Sequence, residues 1–223
     1  AKPFKIKLNS QTIETETIII ATGAQSQWIG LPNEQRLIGH GVSSCATCDG
    51  FFFPNKDVVV VGGGDTALED GIFLTKFAKS VTIIHRRDSL RASKIMQDRA
   101  FANSKIKFIW DTVIADVSGK DAVEGVKLKN VKTGKETEMR CEGLFVAIGH
   151  KPATDIFKGK VELDEKGYVI TQGKSTMSNV EGVFIAGDVD DPRYKQAVTA
   201  AGEGCKAAID VEKYLESKHS EKK

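Results

Sequence analysis

The stretch DVVVVGGGDTALEDGIFLTKFAKSVTIIHRRD, residues 57–88, leaves the chain little freedom. Four consecutive valines run into three glycines, then apolar residues recur at helical spacing, then a second apolar run follows. Strand, glycine turn, helix and strand at this spacing form a βαβ unit, and such a unit requires a parallel sheet covered on both faces. The predicted fold class is therefore α/β, with a Rossmann-like domain at its centre.

Gly62, Gly64 and Ala67 make the G-x-G-x-x-G/A pattern between a strand and a helix, the context in which it binds a dinucleotide. Gly62 permits the tight turn, Gly64 lets a pyrophosphate approach the backbone, and the amino end of the helix favours the anion. About twenty residues on, an NAD site would place an acid against the ribose 2′-hydroxyl. This chain has His85, Arg86 and Arg87 there, with Arg91 about one helical turn further. Guanidinium groups bind a 2′-phosphate bidentately, which points to NADPH. The alternative is a solvated cluster in which Asp88 neutralises the arginines.

Upstream, GVSSCATCDG sets Cys45 and Cys48 two residues apart, directly before Asp49. A zinc site would need two further ligands, and no second C-x-x-C or closely spaced Cys and His pair exists, so no metal is expected. Cys141 and Cys205 lie singly in a strand end and a helix, where they read as small buried hydrophobes. A redox pair needs an electron source and a proton handler. The nucleotide turn begins within twenty residues, and Asp49 is placed to protonate a departing thiolate. A nicotinamide rarely reduces a disulfide directly, so a flavin would mediate. Chance spacing of two thiols stays open. Immediately after, Phe51, Phe52 and Phe53 either pack together under the cysteine turn or leave one or two outside as an apolar seat for a partner.

Around this centre, FKIKL, TIET and TIIIATGA read as a small β meander ending at Gly23, and WIGLPNEQRLIGHG as a connector. Residues 113–141 read as three strands inserted before the buried strand GLFVAIG. A last helix, YKQAVTAAGEGCKAAIDVEKYLES, has a face of Ala197, Ala201, Ala208 and Ile209 that would pack closely. Thirty-two basic against thirty acidic residues leave a net charge of +2, which offers no broad attraction to nucleic acid or to an anionic membrane. No apolar run reaches the roughly 20 residues of a membrane helix. Four cysteines in 223 residues suit a reducing, cytoplasmic setting.

CATCDG, GGGDTALED, HRRDSLRAS, IGHKP and GVFIAGDVDDPRYKQAVTAAGEGCKAA together resemble the bacterial and fungal type of thioredoxin reductase, over nearly the whole chain. The resemblance implies an NADPH domain, residues 27–151, carrying the cysteine pair and inserted into a split FAD domain of related fold, residues 1–26 and 152–223. It implies that Cys45 and Cys48 form the active disulfide, Cys48 nearer the flavin, with Asp49 as acid and base. NADPH would be held by Gly62, Gly64, Asp65, Thr66, His85, Arg86, Arg87 and Arg91, with Ile148 and Tyr168 bordering it. FAD would meet Gly187, Asp188, Lys195, Gln196 and Ala197, although the family more often has Arg at the position of Lys195. Phe51 and Phe52 would dock thioredoxin, and the protein would be a homodimer. The family also opens with a glycine turn of its own for the FAD diphosphate, which nothing here supplies, so the chain reads as a piece of a longer protein. Two other readings are a flavoprotein of the alkyl hydroperoxide reductase type serving a peroxiredoxin, and a flavin-free NADP-binding module.

Overall fold

A computed structural model describes residues 3–220. Residues 1–2 and 221–223, the outer ends of the two segments expected to form the FAD domain, lie outside them. The chain divides into two compact units, one of residues up to Gln25 and from His150 onward, the other from Ser26 to Gly149.

In the first unit, β1 (Phe4–Leu8) and β2 (Gln11–Thr15) form an antiparallel hairpin with Ile6 opposite Ile13. The expected third strand of this meander, β3 (Ile18–Ile20), leaves it. The Thr15 hydroxyl donates to Thr17 O and turns the chain, and β3 then pairs in parallel with a late strand of the same unit. A short β4 (Ala24–Ser26) ends this first pass.

The second unit opens with α1 (Pro32–Arg36), inside the stretch expected to be a connector only. Next come β5 (Val42–Ser43), α2 (Ala46–Asp49), β6 (Asp57–Val61), α3 (Asp65–Leu74) and β7 (Ser80–Ile84). They are followed by α4 (Lys94–Phe101), β8 (Ile106–Ile109) and a meander of β9 (Thr112–Ser118), β10 (Gly125–Asn130) and β11 (Glu136–Arg140), before β12 (Gly143–Val146). Five strands pair in parallel in the order β5-β12-β6-β7-β8. Because successive strand residues face opposite sides, the valines of β6 feed two cores. Val58 and Val60 pack with Ala67, Leu68 and Leu74 of α3, whereas Val59 packs with Ile114 and Val117 of β9 and Leu128 of β10. Helices therefore cover one face of the sheet and the meander covers the other. This is why the β6 run is continuously apolar rather than alternating.

Returning to the first unit, β13 (His150–Pro152) pairs with β4, and β14 (Val183–Ile185) is the partner of β3. The terminal helix α5 (Ala197–Ser220) seats Ala207, Val211 and Tyr214 against Phe184 and Ala186. This corrects the expected face: Ala197, Ala201, Ala208 and Ile209 are exposed, and so is Cys205, read from sequence as buried. Small residues on a helix mark a face able to pack closely, but here the aromatic ring of Tyr214, edge-on to Phe184 at 5.8 Å, sets which face goes in. Cys141 is buried as expected, and desolvation pushes its thiol up to about 12.

Candidate functional site

At the carboxyl ends of β6 and β12 lies a cleft of about 470 Å³ walled entirely by the 26–149 unit. The sequence-predicted Gly62, Gly64, Thr66, His85, Arg86, Arg91 and Ile148 all line it. Gly62 is required by close approach, since a Cβ there would stand 2.4 Å from Ala147 O and 2.6 Å from the Ala67 methyl. Gly64, which precedes α3, is the opposite case: a Cβ would meet nothing within 4 Å, so its backbone faces open space. An anion's oxygens fit that space, at the amino end of a ten-residue helix.

The arginine segment is clamped to this turn. Gly63 O accepts from Arg91 N at 2.7 Å and Ala92 N at 3.2 Å, and Asp65 Oδ1 accepts from Ser93 N and Oγ, both at 2.8 Å. Asp65 is thus spent on the loop and does not line the cleft. Those bonds also hold its carboxyl below the usual range. Among the described residues the guanidinium groups of Arg86, Arg87 and Arg91 make neither an ion pair nor a hydrogen bond. Their neighbour Asp88 is bound by Lys132 at 3.0 Å, which also bridges to Asp111, so the cluster is not self-neutralised. Arg86 and Arg91 face the cleft; Arg87 is exposed but is not part of its wall.

His85 lines the cleft yet is only 5% exposed, with its ring packed on Gly63, where a Cβ would lie 2.3 Å from the imidazole. Its Nε2 is buried without a partner, and burial, then the charge of Arg91, pushes the imidazole pKa below its usual range. Its geometry is that of a neutral plate beneath the turn. Tyr168 belongs to the other unit, where Lys195 Nζ lies 5.4 Å from the centre of its ring. Sequence reasoning missed other parts of the lining, Gln27, Trp28 and Ile29 with Thr112, Val113 and Ile114. The signal for them was the pair of large apolar residues Trp28 and Ile29 that opens the connector.

The same unit carries the cysteines, and they are joined: Cys45 and Cys48 form a disulfide with their Cα atoms 5.3 Å apart. Cys45 caps the amino end of α2, its sulfur accepting from Cys48 N, and Cys48 is exposed on the helix. Asp49 does not meet the sulfurs in this state; its Oδ2 accepts from Ser43 Oγ at 2.5 Å. The three phenylalanines divide. Phe53 is buried edge-on to Phe145, while Phe51 and Phe52, 56% and 60% exposed, lie with ring centroids 3.9 Å apart and planes tilted by 36°, in the turn that follows α2.

In the other unit, β14 runs into Gly187, whose φ of 79° needs a glycine and whose N–H donates to Glu203. The carboxylate of Asp188 makes no hydrogen bond among the described residues and stands ready for a hydroxyl donor. Gln196 and Ala197 sit at the start of α5. The backbone N–H of Lys195 is committed to Asp191, which gathers the N–H groups of Arg193 and Tyr194 as well.

The family model for pyridine nucleotide-disulphide oxidoreductases matches residues 2–204. The chain is 55% identical over 208 residues to a thioredoxin reductase of Streptomyces coelicolor, covering 93% of this chain and 65% of that protein. It is 53% identical over 218 residues to one from Rickettsia prowazekii, covering 96% and 70%. Among solved structures, thioredoxin reductase from Streptococcus pyogenes superposes with a TM-score of 0.90 at 45% identity, over 96% of this chain and 70% of that one. The chain thus spans just under two thirds of the Streptomyces relative's length. On the family match over residues 2–204 and the identity to these relatives, the chain belongs to the pyridine nucleotide-disulphide oxidoreductase family, in its thioredoxin reductase branch.

Proposed function

We propose that this chain carries the nucleotide-binding and disulfide-handling parts of an NADPH-dependent, FAD-containing reductase of thioredoxin. The observation that carries the reading is the presence, within one unit, of a formed Cys45–Cys48 disulfide and a cleft whose two open guanidinium groups suit a 2′-phosphate. Gly62 and Gly64 admit the diphosphate, Thr66 and Ile148 border it, and His85 supports the turn. The flavin, when bound, supplies two-electron transfer between nicotinamide and disulfide. Gly187, the Asp188 carboxylate and the start of α5 at Gln196 and Ala197 are the groups of this chain that would hold it. Asp49 serves as the acid and base for the thiols. Phe51 and Phe52, each more than half exposed and a few residues after the disulfide in sequence, offer a partner an apolar seat.

No described helix is long and apolar enough to cross a membrane. We read the protein as cytoplasmic, since two of its four cysteines are free thiols, and as a homodimer like the family it resembles. The central test is NADPH-dependent reduction of thioredoxin by flavin-loaded protein. Cys45→Ser and Cys48→Ser should each lower that rate by at least about 10³-fold while bleaching of the flavin band by NADPH persists. Thioredoxin reduction at an undiminished rate in both variants would remove the disulfide from the reading.

A further inference from the structure

Ser43 belongs to no motif, yet it stands between the sheet and the disulfide. It ends β5, in parallel register beside Phe145 of β12, and is 7% exposed. Its oxygen accepts from Cys45 N at 3.0 Å, and its hydroxyl donates to Asp49 Oδ2 at 2.5 Å. A hydroxyl has one proton, so its 3.4 Å approach to Cys45 O is not a second full bond. The bond to Asp49 lies at the short end of the range for a hydroxyl on a carboxylate, where such bonds are strongest. Cys45 N–H, Ser43 O–H and the Asp49 carboxylate therefore form one polarised chain across the turn that bears both sulfurs.

We propose that Ser43 is a positioning residue for disulfide exchange, fixing where the Asp49 carboxyl group stands relative to Cys45 and Cys48. This rests on reading the pair as redox-active. When a dithiol opens the bond, one of its thiolates attacks one sulfur of the pair and the S–S bond breaks. The other sulfur departs with the bonding electrons and takes a proton. The second thiol of the reductant then displaces the first from the mixed disulfide. The dithiol loses two electrons and two protons as it closes on itself, and the cysteines gain both. Asp49 carries a proton from the reductant's thiol to the departing sulfur and returns to its starting form. Freed from Ser43, its carboxylate turns towards water and serves that transfer less often.

The test is the rate at which dithiothreitol opens Cys45–Cys48 in this chain, followed by alkylation and mass, which needs neither flavin nor thioredoxin. Ser43→Ala and Asp49→Asn should each slow opening about tenfold. That is less than the ~10²–10⁴-fold of a fully engaged acid–base group, because the reductant and water also exchange protons. Since Ser43 acts through Asp49, the double variant should be no slower than Asp49→Asn alone. Ser43→Thr should restore the rate, and Ser43→Val, of the same shape without the hydroxyl, should not. That isosteric pair decides the matter if Ser43→Ala fails to fold. Multiplying effects in the double variant, or equal rates for Thr and Val, would overturn the proposal while leaving the redox reading intact. A pair that dithiothreitol cannot open in the unsubstituted protein would overturn both.

Discussion

His85 lines the cleft, yet nearly all of its ring is buried in the fold that shapes it. The sequence places it at the head of a basic cluster and so among the phosphate ligands. The fold lays its ring against Gly63, 5% exposed, with Nε2 buried and unpartnered. Burial, then the charge of Arg91, disfavours the charged imidazole and outweighs a backbone hydrogen bond at Ser89, so its pKa is pushed below the ordinary 6.5. The unfolded chain then takes up a proton first as pH falls. The stability due to the neutral ring is full above about pH 6.5 and is lost as pH falls through the lower folded value. The melting temperature should therefore drop more steeply from about pH 7.5 to about pH 5.5 in the unsubstituted protein than in His85→Gln, which does not titrate there. Parallel curves for the two proteins would show that the ring is not held in this way.

Elements inherit their limits from single residues too, and α1 is the clearest case. Glycine and proline at Gly30 and Pro32 led to a plain connector, because turn chemistry is local and visible. What makes the segment rigid is Glu34, 0% exposed, whose carboxylate accepts from Ile29 N at 2.9 Å, Gly30 N at 2.7 Å and Leu31 N at 3.1 Å. A buried acid satisfied by three backbone donors leaves no pattern in a sequence, unlike the valine run of β6 or the glycines that follow it. Glu34→Ala should lower stability by about 3 kcal/mol or more, since hydrogen bonds to a charged group contribute ~1.5–3 kcal/mol each and do not add fully. It should also weaken nucleotide binding, because Trp28 and Ile29, which lead into that segment, wall the cleft. Thermal melts and nucleotide titration measure the two effects, and a variant as stable as its parent would refute the anchoring role. The same distinction explains the rest of what was legible. The βαβ unit and the inserted meander follow from period and glycine alone. The departure of β3 from its hairpin depended on a partner strand some 165 residues later, and the buried face of α5 on a tyrosine ring meeting Phe184.

At the scale of the whole molecule, the division of labour follows the division of the chain. Cleft, arginines, disulfide and aromatic pair all belong to residues 26–149, whereas Gly187, Asp188 and the start of α5 belong to the other unit. Every wall of the nucleotide cleft comes from the first group. Nucleotide binding should therefore not depend on flavin, and its selectivity should rest on two exposed guanidinium groups that no carboxylate of the described chain neutralises. Calorimetric titration of this chain should give NADPH binding of equal strength with and without added FAD, and clearly tighter than NADH. Replacing both Arg86 and Arg91 with Ala should weaken NADPH about a hundredfold or more, from two charge-assisted contacts of ~1.5–3 kcal/mol each, and leave NADH within about threefold. Equal affinity for the two nucleotides in the unsubstituted chain would mean that the arginines do not read a phosphate. Binding that appears only with flavin would mean instead that the cleft is not complete within its own unit.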